Sequence, residues 1–305
     1  MFKTPILFII FNRTNTTTRV FDVIKRVQPS KLYIAADGPR KDKIGEKEKC
    51  ENVRQITEKI DWSCEVKRLY RKENLGCKYA VSEAIDWFFE NVQEGIILED
   101  DCLPNNTFFK FCEMMLKKYK DEKSVMHIGG TNLSGENILI DNSYYFSRSP
   151  LVWGWATWRR AWKYYDVQLG DFFATETNIL DKHSLSLLDR LYWYYIFKKT
   201  HDNIISTWDY QWVYSIWKNN GIAIIPSVNL VRNIGFSKTA THTKNALPIA
   251  KNNKTYKMHF PLTYPKGITI NRRKDIELSK KGFNINFISV AYLIVSDLVN
   301  NMKND

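Results

Sequence analysis

The sequence has few cysteines, and none of them share a spacing that would join them in one site. The five lie far apart, and no two are separated by exactly two residues. The pattern therefore predicts neither a disulfide framework nor a structural zinc site. Such cysteine usage is typical of a reducing compartment, so we expect a cytoplasmic protein.

A long apolar run is also missing near the start of the chain. The apolar stretch 1–11 is interrupted by Pro5 and followed by Asn12 and Arg13, which makes it too short to cross a membrane. It also lacks the small-residue cleavage site of a signal peptide. We therefore predict that it forms a buried first strand.

Acidic residues are outnumbered in this chain. Lysine and arginine total 45 against 33 aspartates and glutamates, which gives a formal charge of +12. This excess predicts attraction to phosphate-bearing partners or to an anionic membrane face. No helix-turn-helix, zinc-finger or RNA-binding sheet signature is present, so nucleic acid is not an expected partner. Internal repeats are absent too, which excludes solenoid and fibrous folds.

What the sequence does contain is an alternation of apolar runs with helical patterns, typical of an α/β fold. Predicted strands cover residues 5–11, 31–36, 64–70, 96–98, 125–128 and 222–225. Predicted helices cover residues 16–27, 43–60, 76–90 and 105–119, the last capped by Asn105 or Asn106, and an amphipathic helix is expected within 283–302. We therefore predict a Rossmann-like mixed sheet, mostly parallel and flanked by helices, with a C-terminal helical extension.

Three acids, Glu99, Asp100 and Asp101, follow the fourth predicted strand. Adjacent carboxylates repel one another unless a cation lies among them. Hard oxygen ligands suit Mg²⁺ or Mn²⁺, and open α/β sheets bind ligands beyond the carboxyl ends of their strands. The alternative is a solvated turn whose acids cap the next helix. We favour the metal site.

The ends of the first two strands carry a second group of polar residues. Asn12 and Arg13 follow the first strand and Asp37 follows the second, so all three lie at the same sheet edge as the acids. An arginine pairs with phosphate, and an aspartate accepts from a pyrimidine ring N–H. Each alone is more typical of a turn or a surface charge, but their shared edge favours a nucleotide site.

Two later residues are also candidates for chemistry. Asp209 lies in an aromatic stretch, 207–212, where partial burial suits a general base; capping the helix that follows is its alternative role. His242 lies in a loop downstream of Arg232, where the two residues suit a metal or a diphosphate. An ordinary surface histidine is the alternative there.

Six short motifs, in this order, resemble the GT-A fold of nucleotide-sugar glycosyltransferases. They are Phe11-Asn12-Arg13, Ala36-Asp37-Gly38, Asn74-Leu75-Gly76, Leu98-Glu99-Asp100-Asp101, Trp153-Gly154-Trp155 and Trp208-Asp209-Tyr210-Gln211-Trp212. The pattern is similar to bacterial relatives of N-acetylglucosaminyltransferase I, a haemolysin-like group. The resemblance implies a glycosyltransferase domain over 1–245, with a nucleotide half at 1–130 and an acceptor half at 131–245. Residues 246–305 would then be a basic extension with an amphipathic helix.

The resemblance also implies roles for individual residues. Asp101 would bind manganese directly, or Mg²⁺ in its place, while Glu99 and Asp100 would hold the donor sugar, the ribose or ligand waters. Asp37 would bind uracil, Arg13 the nucleotide, and Asp209 would be the catalytic base, with Asp202 as its nearby rival.

The aromatic segment and the C-terminus suggest the remaining partners. Trp153, Gly154 and Trp155 would bind a glycan or lipid-linked oligosaccharide acceptor, with core packing as the equal alternative. The basic segment before the last helix suggests contact with an anionic inner-membrane face or with a second copy.

Taken with the resemblance, these residues predict a glycosyltransferase. It would catalyse an inverting, metal-dependent transfer from a UDP-sugar during assembly of bacterial surface polysaccharide. Its alternatives are a nucleotidyltransferase that makes a nucleotide sugar, and a non-catalytic carbohydrate-binding protein.

Overall fold

The structure is a computed structural model that describes residues 1–133, 142–236 and 254–304. Its centre is an eight-stranded sheet. The strands are β1 (Ile6–Ile10), β2 (Lys31–Ala36), β3 (Glu65–Tyr70), β4 (Glu94–Glu99), β6 (Val125–Gly129), β7 (Tyr144–Ser147), β8 (Trp155–Trp158) and β9 (Ile222–Pro226). They lie in the order β3-β2-β1-β4-β8-β6-β9-β7. A separate pair joins β5 (Cys102–Pro104) to β10 (Val231–Asn233).

The first four strands run parallel. The buried apolar runs of β1, β2 and β4 are typical of strands covered on both faces, whereas β3 is a partly exposed edge strand. The predicted α/β class with a mostly parallel sheet is thereby confirmed. Strand β8 is antiparallel to both β4 and β6, and β7 is antiparallel to β9. This makes the sheet mixed around its middle.

Helices cover both faces of the sheet. They are α1 (Thr14–Val27), α2 (Glu46–Ile56), α3 (Gly76–Asn91), α4 (Asn106–Lys118), α5 (Arg159–Trp162), α6 (Phe172–His183), α7 (Leu187–His201) and α8 (Asp209–Lys218). Alternate residues of β1 show the two layers: Phe8 packs with the residues of α1 and α4, and Leu7 packs with those of α3 and α8. Asn105 is the N-cap of α4, as predicted, because its side chain accepts a hydrogen bond from the Thr107 N–H.

The C-terminal segment forms α9 (Arg272–Glu277), a π-helical turn (Leu278–Gly282) and α10 (Phe287–Asn304). Helix α10 packs against α7, and Lys198 of α7 forms an ion pair of 2.9 Å with Asp297 of α10. Within the described ranges no single helix is long and apolar enough to cross a membrane. The segments Arg272–Gly282 and Phe287–Asn300 meet that test of length and composition only as a pair, bent by 64°.

Candidate functional site

Parallel strands bring the predicted site residues to one edge of the sheet. Ile9 pairs with Glu99 and Ile10 with Ala36, so the segments that follow β1, β2 and β4 emerge side by side. They line a cleft of about 1270 Å³, open mouth included, and the start of α8 forms part of its wall. Glu99, Asp100, Asp101, Arg13 and Asp37 all lie in this wall.

The acids occupy a tight turn between two strands. Asp100 and Asp101 lie between β4 and β5, a short strand that the sequence did not predict. Arg13 is their counter-ion: its Nη1 lies 2.7 Å from Asp101 Oδ2 and its Nη2 lies 3.5 Å from Asp100 Oδ1. The Phe11 N–H also donates to Asp100, at 3.3 Å. The end of β1 thus holds the acid turn from one side.

One arginine does not fully offset three clustered carboxylates. Burial, followed by the charges of Asp101 and Asp100, raises the pKa of Glu99 above its usual range. Burial also raises the pKa of Asp100, although Arg13 acts in the opposite direction. Both shifts mean that the ionised turn favours additional positive charge.

The described residues fit a metal that is shared with a substrate. They contain no group of three histidine, cysteine, aspartate or glutamate side chains that would hold an ion by themselves. Asp101 faces the cleft with 14% of its side chain exposed. Magnesium-type sites often use one or two carboxylates and complete their shell with substrate phosphates. His242, predicted as a further ligand, lies outside the described residues.

Asp37 is more heavily engaged than its predicted role suggests. Oδ1 accepts from the N–H groups of Gly38 and Leu75, at 2.8 and 3.0 Å, and Oδ2 accepts from the Asn74 amide at 2.8 Å and from the Gly76 N–H at 3.2 Å. These bonds secure the start of α3, where Gly76 adopts a φ of +76°. Asp37 therefore holds a turn in the cleft wall, and a pyrimidine would have to share an oxygen that already accepts hydrogen bonds.

Asn12 does not join the cleft wall that the described residues form. Its side-chain amide donates to Glu46 Oε1 at 2.9 Å, and the same carboxylate binds the Arg40 backbone and guanidinium. The contact that the structure gives Asn12 is thus a structural bond, and its nucleotide contact stays a prediction. Arg40 does line the cleft, together with Arg71 and Asn74. Sequence reasoning missed Arg40 and Arg71, although they follow β2 and β3 as Arg13 follows β1, and it named Asn74 only within a motif and without a role.

Asp209 is the first residue of α8 and lies in the cleft wall. The N-cap is Trp208, so the capping role considered for Asp209 is wrong. The Thr207 hydroxyl and the Tyr210 N–H donate to Asp209 Oδ1 at 2.5 and 3.0 Å, which fixes the orientation of the carboxylate. The alternative base, Asp202, forms an ion pair with Lys198 and a hydrogen bond with His201 instead.

The three predicted acceptor residues separate into one wall residue and two packing residues. Trp153 lines the cleft and makes an edge contact with Phe236, with ring centroids 5.5 Å apart. Trp155 is 1% exposed and stacks between His127 and Trp208, so a direct acceptor contact by Trp155 is corrected to core packing. The reason is that β8 lies in the middle of the sheet with both faces covered.

Gly154 is also explained by packing. Its φ is +64°, and a Cβ at this position would lie 2.8 Å from Val231 Cγ2. Only glycine combines that backbone conformation with so close a contact. The expected approach of a ligand to Gly154 is therefore replaced by a close approach of β10.

The segment after β10 crosses the acid turn. The Ile234 N–H donates to the Asp101 carbonyl at 2.8 Å, and the Asn233 amide lies 3.5 Å from Asp101 Oδ1. A Cβ on Gly235 would lie 2.2 Å from Asp101 Oδ2 and 2.6 Å from Arg13 Nη1. Arg232, predicted to bind the donor, has an exposed side chain outside the cleft wall of the described residues.

Comparisons with known proteins give no family for this chain. No family model and no curated protein matches it. Among solved structures it is similar to HddC from Yersinia pseudotuberculosis, at 9% identity and a TM-score of 0.28, over 42% of this chain and 57% of that one. It is also similar to 4-diphosphocytidyl-2C-methyl-D-erythritol synthase from Anaerococcus prevotii, at 15% identity and a TM-score of 0.35, over 56% and 83% of the two chains.

The chain thus spans a little over half the length of the first structure. At these TM-scores the likenesses identify neither an activity nor a substrate. The resemblance to GT-A glycosyltransferases stays a prediction.

Proposed function

We propose that this chain is a glycosyltransferase that transfers a sugar from a nucleoside diphosphate, with UDP favoured, to a hydroxyl of a glycan or lipid-linked acceptor. One observation carries the proposal: a guanidinium, an acid turn and the separate carboxylate of Asp209 line the same cleft. Transfer from a sugar nucleotide needs groups for a diphosphate and a base for the acceptor. In this proposal, the segments after β1 and β4 provide the groups for the diphosphate, and the start of α8 provides the base.

The chain's own groups suit a single displacement with inversion. Asp209 takes the proton from the acceptor hydroxyl, whose oxygen attacks the anomeric carbon as the bond to the diphosphate breaks. Arg13, Arg40 and Arg71 line the same cleft and would stabilise the charge of the departing diphosphate. A bound Mn²⁺ or Mg²⁺, held through Asp101, would supply further charge stabilisation at the leaving group. Trp153 offers an aromatic face for a pyranose ring.

Nucleotidyl transfer to a sugar phosphate is the second candidate. Three arginines in one cleft also suit the larger charge of a triphosphate. Against it, α1 begins at Thr14 after a connection without glycine. A glycine-rich loop, which would cradle a triphosphate with backbone N–H groups, is therefore missing at β1.

Product analysis separates the two candidates. The protein is incubated with Mn²⁺ and either UDP-sugars or UTP plus sugar 1-phosphates, and the released nucleotide and pyrophosphate are measured. The proposal predicts UDP release from at least one UDP-sugar, through transfer or slow hydrolysis, and no pyrophosphate. Pyrophosphate release with a new nucleotide sugar establishes the second candidate, and the absence of both products leaves a non-catalytic binding protein.

A further inference from the structure

Helix α10 carries an apolar face that the described structure leaves exposed. Ile288, Tyr292, Val295, Val299 and Met302 recur at alternating steps of four and three residues, which places them on one side of a helix. Ile288 is 80% exposed and Tyr292 is 72% exposed. Exposed apolar patches of this extent mark sites of interaction with a protein or a membrane.

The other face of α10 is already occupied. Val290 is buried, and Leu293 and Ile294 pack against the core layer that contains α7 and α8. Asp297 lies on this inner face as well, in its ion pair with Lys198. Because one face is fixed to the protein, α10 is suited to lie along a surface with its outer face, and not to leave the fold and span a bilayer.

Positive charge lies immediately before this helix. Residues 266–281 contain six basic and two acidic side chains. Lys274 and Asp275 are buried, which leaves five basic side chains and one acidic side chain in the rest of the segment. Lys280 and Lys281 are exposed in the π-helical turn that leads into α10. An apolar stripe next to exposed lysines is the arrangement by which interfacial helices bind anionic lipid.

Charge also distinguishes the membrane from a second copy of the chain. In a symmetric dimer through α10, each stripe and its lysines would face the same elements of the other copy. Both copies carry a formal charge of +12, so such a pair would form against repulsion, whereas an anionic surface would attract the same charges.

We propose that α10 and the lysines before it form a docking surface for anionic phospholipid membranes. The outer stripe of α10 inserts at the level of the headgroups, and Lys280 and Lys281 contact lipid phosphates. The proposal does not depend on which reaction the cleft performs.

Vesicle co-sedimentation of the full chain tests this surface. The vesicles contain phosphatidylcholine alone or equal parts of phosphatidylcholine and phosphatidylglycerol. We expect binding to the anionic vesicles that weakens with added salt, and at least tenfold weaker binding for Ile288→Ala/Tyr292→Ala. Each lysine near an anionic surface contributes about fivefold in affinity, so Lys280→Ala/Lys281→Ala should weaken binding about 25-fold.

Matched controls are available elsewhere on the surface. Ile44→Ala removes an even more exposed apolar side chain, and Lys47→Ala/Lys49→Ala removes two exposed lysines of α2. Neither change should alter vesicle binding. Unfolding midpoints verify that all variants are folded. The proposal is overturned if the protein binds both vesicle types equally, or if neither α10-region variant loses more affinity than its control. It is also overturned if the wild type does not bind vesicles and instead forms a dimer that Ile288→Ala/Tyr292→Ala dissociates.

Discussion

Arg13 Nη1 donates a hydrogen bond of 2.7 Å to Asp101 Oδ2, the carboxylate on which the proposed metal site depends. The guanidinium belongs to the segment after β1, and the aspartate to the turn after β4, so the pairing follows directly from the parallel register of these two strands. An ion entering at Asp101 must compete with this contact. A diphosphate would draw Arg13 towards its own oxygens and leave Asp101 to the metal.

Loss of the Arg13 side-chain charge should therefore have opposite effects on the metal and on the nucleotide. In Arg13→Gln we expect Mn²⁺ alone to bind about tenfold more tightly, because a charge-assisted hydrogen bond of about 1.5 kcal/mol no longer competes for Asp101. UDP should bind more weakly in the same variant. Isothermal titration with each ligand measures both effects, and Arg19→Gln, on the exposed side of α1, is the control. Unchanged or weaker Mn²⁺ binding in Arg13→Gln contradicts the competition.

Asp209 should matter for turnover and not for donor binding. For Asp209→Asn we expect the transfer rate to fall by a factor of about 10² to 10⁴, the usual contribution of general base catalysis. The affinity for UDP with Mn²⁺ should stay within about twofold of wild type, because the amide keeps the shape of the carboxylate. Asp202→Asn, whose carboxylate pairs with Lys198, should retain the wild-type rate. A wild-type rate in Asp209→Asn would remove this residue from the chemistry.

Gly235 should tolerate no side chain. A Cβ at this position would lie 2.2 Å from Asp101 Oδ2, so Gly235→Ala must displace the acid turn or the segment above it. Overpacking of this kind costs about 1–3 kcal/mol. We expect a lower unfolding free energy in urea and loss of Mn²⁺-dependent UDP binding. Gly267→Ala, with no atom closer than 4.0 Å to its new Cβ, should change neither quantity, and equal behaviour of the two variants contradicts the described packing.

His127 should make the protein less stable in acid. Burial lowers the pKa of His127 to about 3, while the unfolded chain has the ordinary value of about 6.5. The ring is neutral in the fold: Nδ1 accepts from Trp212 Nε1, and Nε2 donates to the Leu151 carbonyl. Below about pH 6.5 the unfolded state binds the extra proton, so the stability contributed by this residue is present above that pH and is lost as pH falls towards 3.

The slope of stability against pH measures this contribution. Each pH unit in that window should cost about 1.4 kcal/mol through His127. Urea unfolding at several pH values should therefore give a flatter profile for His127→Gln than for wild type. His183, whose pKa is lowered to about 4 mainly by burial, should remain as a second source of acid sensitivity in the variant. Parallel profiles for wild type and His127→Gln would contradict the neutral, buried ring.

The first part of the fold, from β1 to β4, was predicted closely because its signals are local. Strand β2 and the start of α3 agree with the structure to the residue, since apolar runs and turn residues delimit them. The acids, Arg13 and Asp37 lie at one edge of the sheet, because each follows the carboxyl end of a parallel strand and these ends lie side by side. Strand β5 was missed because it has three residues and exists through its pairing with β10.

The aromatic-rich part of the chain after β6 was predicted less well, because aromatic residues are common both in protein cores and in sugar sites. Trp153 and Trp155 are two positions apart, so in a regular extended strand their side chains would point to the same side. In the structure, Trp153 lines the cleft, whereas Trp155 lies between His127 and Trp208. The difference arises from the turn at Gly154 and from the insertion of β8 between β4 and β6, a long-range pairing without a local pattern.

Titration of UDP into the wild-type protein and into Asp101→Ala, each with and without Mn²⁺, tests whether the acid turn binds a metal together with a nucleotide. We expect Mn²⁺ to strengthen UDP binding to wild type at least tenfold and Asp101→Ala to abolish this gain. Equal UDP affinity with and without Mn²⁺, or a gain from Mn²⁺ that survives in Asp101→Ala, would contradict a metal and nucleotide site at the acid turn.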